Sequence, residues 1–224
     1  MARRRNSAGT ERIVVIGLGR FGGALAVELA RDGREVLGID HSDRLVQDYS
    51  AELTQTAVAD STDADALRQL GVPEAHTAVV AIGTNLEASI LTTSLLVDFD
   101  IPNIWAKATS REQSKILRRI GAHHVVLPEQ DMGERVAHLV TGRMLDFIEF
   151  EDDYALVKTL APEEAVGRPL GESQLRSKYD VTVVGIKRPG EGFTHATAET
   201  VVRRGDVLIL SGRTEDVERV ANLS

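Results

Sequence analysis

The chain has 224 residues, of which 42% are hydrophobic and 27% charged, with a net charge of −8; these values suit a globular protein and exclude a disordered, collagenous or low-complexity chain. There is no cysteine, which excludes disulfide scaffolds, thiol catalysis, iron–sulfur clusters and Cys-based zinc sites. The charge divides evenly along the chain and the one basic run is Arg3-Arg4-Arg5; neutralised phosphates dominate nucleic-acid affinity, so the sequence offers no nucleic-acid footprint and that run reads as a solvated terminus.

No apolar stretch follows the arginines, so no signal peptide is expected. From Arg12 onward, short β-branched runs alternate with helix-period segments, the pattern of a parallel sheet with crossover helices. The expected strands are Ile13–Ile16, Val36–Ile39, Thr56–Ala59, Ala78–Ile82, Ile104–Lys107 and Val125–Leu127. Six parallel strands make a complete Rossmann-like doubly wound sheet. Thr77 to Val97 carries one charge, Glu87, but Gly83, Thr84 and Asn85 interrupt it, so it reads as strand, loop and buried helix rather than a membrane span. Residues 132–147 carry a wide apolar stripe, Val136, Leu139, Val140, Met144, Leu145 and Phe147, expected as a crossover or dimerisation helix. Beyond Glu149 the texture changes to short strands and turns, with strand-like runs at Ala155–Leu160, Val181–Ile186 and Val207–Leu210. The expected organisation is therefore a nucleotide-binding domain over 1–148 and a small α/β lobe over 149–224. A lobe of that size buries a low fraction of its surface and gains from pairing with a second copy.

The strongest local signal is Gly17-Leu18-Gly19-Arg20-Phe21-Gly22, directly after the first strand and before an amphipathic helix from Phe21 to Arg31. Gly17 permits the tight turn, Gly19 admits a pyrophosphate to the backbone, and Gly22 lets helix and strand pack closely, while the helix N-terminus supplies free N–H groups and partial positive charge. Asp40 ends the second strand, where a carboxylate accepts ribose hydroxyls and repels a 2′-phosphate. Arg20 adds a full charge where helix and backbone already serve a diphosphate, which points to a third phosphate; the alternative is a solvated or inter-subunit ion pair. Ligands of open α/β sheets bind at the carboxyl ends of strands, which adds Asp60-Ser61-Thr62, Ile82-Gly83-Thr84 and Lys107. Asp60 serves either an adenine amine or the N-cap of the next helix. A lysine at the inner end of a central strand needs a partner. Glu129 is either a favourable charge at a helix N-terminus or a ligand-site carboxylate. The adjacent His123 and His124 point to opposite faces and receive no metal role.

Four segments carry a family resemblance: Val15 to Gly22, Ala81-Ile82-Gly83-Thr84-Asn85, Asp100 to Ala108 and Pro128-Glu129-Gln130-Asp131-Met132-Gly133. The chain resembles the TrkA-N or RCK regulators of potassium conductance, most closely the KtrA-type cytosolic subunits of bacterial Ktr potassium-uptake systems. Arg204 to Leu210, with Gly212, is similar to the TrkA-C (RCK-C) lobe. The resemblance implies a cytoplasmic ring of eight subunits, built from dimers and docked on a membrane potassium-transporting partner. It implies ATP and ADP competing for the glycine site, NAD(H) as a related ligand, and a divalent cation, magnesium or calcium, at Glu129. Arg20 would then meet the terminal phosphate across the dimer, and the site would also include Phe21, His41, Ser42 and Ala108. For some members it implies cyclic di-AMP at a lobe–lobe interface, with Leu175, Arg176 and Ile186 at the matching positions.

Two other classes fit a dinucleotide fold, which by itself does not fix function. An NAD(H)-linked oxidoreductase needs an acid/base beside the nicotinamide, and the C-terminal part offers only His195, in a Gly/Thr-rich segment that reads as a turn. A redox-sensing repressor needs a DNA-binding module, and no basic helix is present.

Overall fold

The central β-branched runs form strands buried on both sides, as a parallel sheet covered by helices requires, while the edge strand Gln55–Val58 is partly exposed. In the computed structural model, which describes residues 12–140 and 144–223, the strands are β1 (Ile13–Ile16), β2 (Val36–Asp40), β3 (Gln55–Val58), β4 (Thr77–Val80), β5 (Asn103–Lys107) and β6 (His124–Val126). Each lies within about two residues of its expected position. The sheet order is β3-β2-β1-β4-β5-β6, with every pair parallel. Helices α1 (Arg20–Arg31), α2 (Asp43–Tyr49), α3 (Ala64–Gln69), α4 (Leu86–Asp98) and α5 (Arg111–Ile120) make the crossovers. Val14, Ile16, Ile39, Leu67, Leu96, Ile104 and Leu117 form one core layer, and Val15, Leu18, Ala26 and Val36 the other. The order reverses between β1 and β4, opening a crevice at their carboxyl ends. Among the described residues no helix is long and apolar enough to cross a membrane.

The chain divides after Gln130 into two units. The stripe expected as one helix over 132–147 separates into two elements. Helix α6 covers Pro128–Val140, and Asp146–Phe150 is a strand, β7; residues 141–143 lie outside the described residues. Phe147 is buried because it alternates with its strand neighbours on β7 and packs into the core of the second unit. Strands β8 (Tyr154–Leu160), β9 (Thr182–Lys187), β10 (Phe193–His195) and β11 (Val207–Arg213) complete an antiparallel sheet in the order β10-β9-β11-β8-β7. Helices α7 (Leu175–Tyr179) and α8 (Thr214–Ala221) contribute Leu175, Tyr179, Val217 and Val220 to its core. The segment around His195, expected as a turn, is thus an edge strand held by β9. The Arg3-Arg4-Arg5 run lies outside the described residues.

Candidate functional site

All six strands of the parallel sheet end at one cleft of about 680 Å³. Gly17, Gly19, Arg20 and Phe21 come from the β1–α1 turn, Asp40 and His41 from the end of β2, and Asp60 and Ser61 from the end of β3. Ile82, Gly83 and Thr84 follow β4, Lys107 ends β5 and Glu129 follows β6. The three glycines differ in what surrounds them. Gly17 sits at φ +95°, a conformation that only glycine adopts freely. A Cβ on Gly22 would stand 1.9 Å from the Gly17 carbonyl oxygen, so this glycine sets the distance between α1 and β1. A Cβ on Gly19 meets nothing within 4 Å, and that free space lies at the N-terminus of α1, where anions bind.

Asp40 is buried, and both of its oxygens hold backbone in place. Oδ2 accepts from Leu18 N at 2.7 Å and Oδ1 from Ser42 N at 2.8 Å, with His41 Nδ1 at 3.2 Å. The carboxylate therefore ties the glycine turn to the β2–α2 turn, and Oδ2, with one donor, keeps accepting capacity. Ser42 acts through its backbone and does not line the cleft. Asp60 is not the helix cap; Asp63 caps α3, accepting from Asp65 N and Ala66 N. The Asp60 side chain instead accepts from Thr62 Oγ1 and N, bonds that hold its carboxyl below the usual carboxylate range. Ser61 Oγ pairs with Thr92 Oγ1 at 2.8 Å, fastening the loop to α4.

At the other end of the cleft, Lys107 Nζ donates to Glu129 Oε1 at 2.5 Å and stands 5.6 Å from the Phe21 ring centroid. That hydrogen bond, with the charges of Lys107 and Arg20 adding to it, holds the Glu129 carboxyl below its ordinary value. Arg20 is exposed and forms no ion pair among the described residues. The lining therefore gathers Arg20, Lys107 and Glu129 in one part of the cleft and Asp40, His41, Arg44, Asp60 and Ser61 in another. No group of three or more His, Cys, Asp or Glu among the described residues converges to hold a metal. A divalent cation here would draw on Glu129, with phosphate oxygens and water completing its shell, a set that suits magnesium.

Ala108 faces the core, fully buried, rather than the cleft. In the second unit Leu175 and Ile186 are 2% and 3% exposed within its hydrophobic core, whereas Arg176 is exposed; within one chain these three do not form a common accessible surface. His123 Nδ1 accepts from Ile104 N, and His124 stacks on Trp105. Sequence reasoning missed Arg44, Leu45, Asn85 and Ala88, which also line the cleft. Arg44 and Leu45 lie in the first turn of α2, so following the helix as well as the loop after each strand end would have found them. A second hollow of about 630 Å³ includes Arg12, Gln55 and Gly71, away from this chemistry. There Arg12 donates to the carbonyls of Leu70 and Gly71.

Comparison with known proteins follows the same division of the chain. The TrkA-N domain model matches residues 13–128 and the TrkA-C domain model residues 155–224. The chain is 37% identical to Ktr system potassium uptake protein A of Bacillus subtilis, over 95% of this chain and 96% of that protein. It is likewise 37% identical to Ktr system potassium uptake protein C of the same organism, over 93% and 95% of the two chains, and 32% identical to the protein A of Vibrio alginolyticus, over 91% and 93%. Among solved structures it resembles the GsuK RCK domain, with a TM-score of 0.66 and 17% identity over 97% of this chain and 48% of that one. It also resembles the GsuK channel bound to NAD, with a TM-score of 0.65 and 17% identity over 97% and 40%. This chain spans less than half of those longer channel chains, and at that identity the likeness concerns the fold alone. These relatives carry the names of components of potassium uptake systems. With both domain models matched in order and full-length relatives above 30% identity, the chain belongs to the TrkA-N/TrkA-C family.

Proposed function

We propose that this chain is a cytoplasmic, nucleotide-sensing regulatory subunit of a membrane potassium-transport system, bound to the inner face of the membrane through its transporting partner. The observation that carries this reading is the full-length likeness to potassium uptake proteins, joined to a cleft whose residues suit an adenine nucleotide. ATP and ADP are the proposed ligands. Asp40 takes the ribose, the N-terminus of α1 takes the inner phosphates, and Arg20 and Lys107 face the outer ones. Glu129 would hold a divalent cation where phosphates complete its coordination. The subunits pair and assemble into a ring of eight.

Regulation follows from differential contacts. Arg20 meets a third phosphate only in ATP, so the two nucleotides favour different states, and the difference in their affinities sets how far the equilibrium can move. NAD(H) is the second ligand proposed, supported by the NAD-bound channel of the same fold; Asp40 disfavours a 2′-phosphorylated form. Cyclic di-AMP at an interface between two C-terminal lobes, with Leu175, Arg176 and Ile186 at the matching positions, is the further ligand proposed.

The test is a competition titration of the purified protein with ATP, ADP, NAD and NADH, with and without magnesium, read alongside its mass in solution. Micromolar binding of ATP and ADP by a multimer is the expected result. Tight binding of NADH alone would move the reading to a redox sensor and remove the role given to Arg20.

A further inference from the structure

The phosphate end of the cleft already contains an anion of its own. The Lys107 side chain is 9% exposed, and its ammonium lies beside the Phe21 ring and against Gly83, where a Cβ would stand 3.3 Å from Nζ. An enclosed ammonium needs an anionic partner. Among the described residues its hydrogen bond goes to Glu129 Oε1 at 2.5 Å, and the Glu129 side chain is 62% exposed. The pair is thus asymmetric. The cation is fixed by its walls, while the carboxylate has open water beside it and can leave at little desolvation cost.

We propose that Glu129 competes with phosphate for Lys107: its carboxylate holds the ammonium, and a phosphate arriving without a divalent cation displaces it towards solvent. The proposal rests on the nucleotide reading above. A carboxylate and a phosphate sharing one ammonium would face each other as like charges, which disfavours both remaining in place. Glu129 then opposes every ligand that needs Lys107, and leaves untouched a ligand without phosphate. The cleft would therefore admit polyphosphates selectively when a further cation relieves that repulsion, and would hold them weakly otherwise.

The experiment is calorimetric titration with ADP and with adenosine, in chelator so that no divalent cation contributes, of the full-length protein, Glu129→Gln, Lys107→Gln and the double variant. Glu129→Gln should bind ADP about 5–10-fold more tightly, the scale of removing one like charge from a partly solvated site, and adenosine as the parent does. In the Lys107→Gln background that gain should disappear. Unchanged adenosine binding and unfolding temperature show that the cleft is intact. ADP binding that is equal or weaker in Glu129→Gln overturns the proposal, as does a gain that persists without Lys107. Failure of every form, the parent included, to bind ADP even with magnesium overturns the nucleotide reading and this inference with it.

Discussion

Two glycines of one turn should respond to the same substitution in opposite ways. Gly22→Ala places a methyl carbon 1.9 Å from the Gly17 carbonyl oxygen and 2.8 Å from Ala81 Cβ. The first contact is backbone, so no side-chain rotation relieves it, and α1 must move off β1. Alanine recovers at most about 1 kcal/mol of helix propensity, against an overpacking cost of about 3 kcal/mol at a rigid contact. The net loss of about 2 kcal/mol corresponds to a fall of about 4–8 °C in unfolding temperature, and nucleotide binding should fail because Gly19, Arg20 and Phe21 move with the helix. Gly19→Ala adds its methyl to open space at φ −66°, so stability should stay within about 0.5 kcal/mol of the parent. The same methyl fills the approach to the α1 N-terminus, and ADP affinity should fall about tenfold or more, since a phosphate held by backbone N–H groups tolerates no intervening carbon. Thermal unfolding without ligand, paired with ADP titration, separates the two effects. A Gly22→Ala protein that melts like the parent, or a Gly19→Ala protein that binds ADP like the parent, would refute this division of labour.

Arg20→Ala should weaken ATP about tenfold or more and ADP only slightly; equal losses in calorimetry would remove the third-phosphate argument. Arg44, which lines the cleft from the first turn of α2, should behave differently, with Arg44→Ala lowering ATP, ADP and AMP affinity by a common factor, and a loss that grows with phosphate number would assign it to the phosphates instead. Glu129→Gln should flatten the magnesium dependence of ATP binding, and a dependence that remains unchanged would leave Glu129 no part in holding the cation. Asp146 is held below its ordinary value of 3.8 first by its hydrogen bond from Arg135 and then by the Phe147 backbone. A carboxylate with a lowered folded value stabilises the protein above pH 3.8 and loses that contribution as pH falls through the lowered value. Asp146→Asn should therefore reduce the drop in unfolding free energy, read by urea denaturation, between pH 7 and pH 3, by about a few tenths of a kcal/mol because the pair is partly solvated; identical drops would show that the pair contributes nothing.

The sequence by itself determined the parallel sheet, because β-branched runs such as Ile13–Ile16 have few alternatives once helix-period segments separate them. It also determined the glycine turn and Asp40, whose spacing is set by local geometry. What it left open were elements created by neighbours. Phe147 continues a helical stripe in the sequence but lies on β7, paired with Val157, since the partner strand rather than the apolar period fixes its conformation. Phe193–His195 is wholly exposed and has no alternation to reveal it; pairing with β9 alone makes it a strand. The same holds within the cleft. Lys107 and Glu129 were each legible as residues at strand ends, but their meeting depends on neighbouring strands β5 and β6 ending side by side, and Ala108, one residue from Lys107, is turned into the core. Tertiary structure decided which side chains share the cleft, because strand order and side-chain direction are properties of the assembled sheet and not of any segment in it.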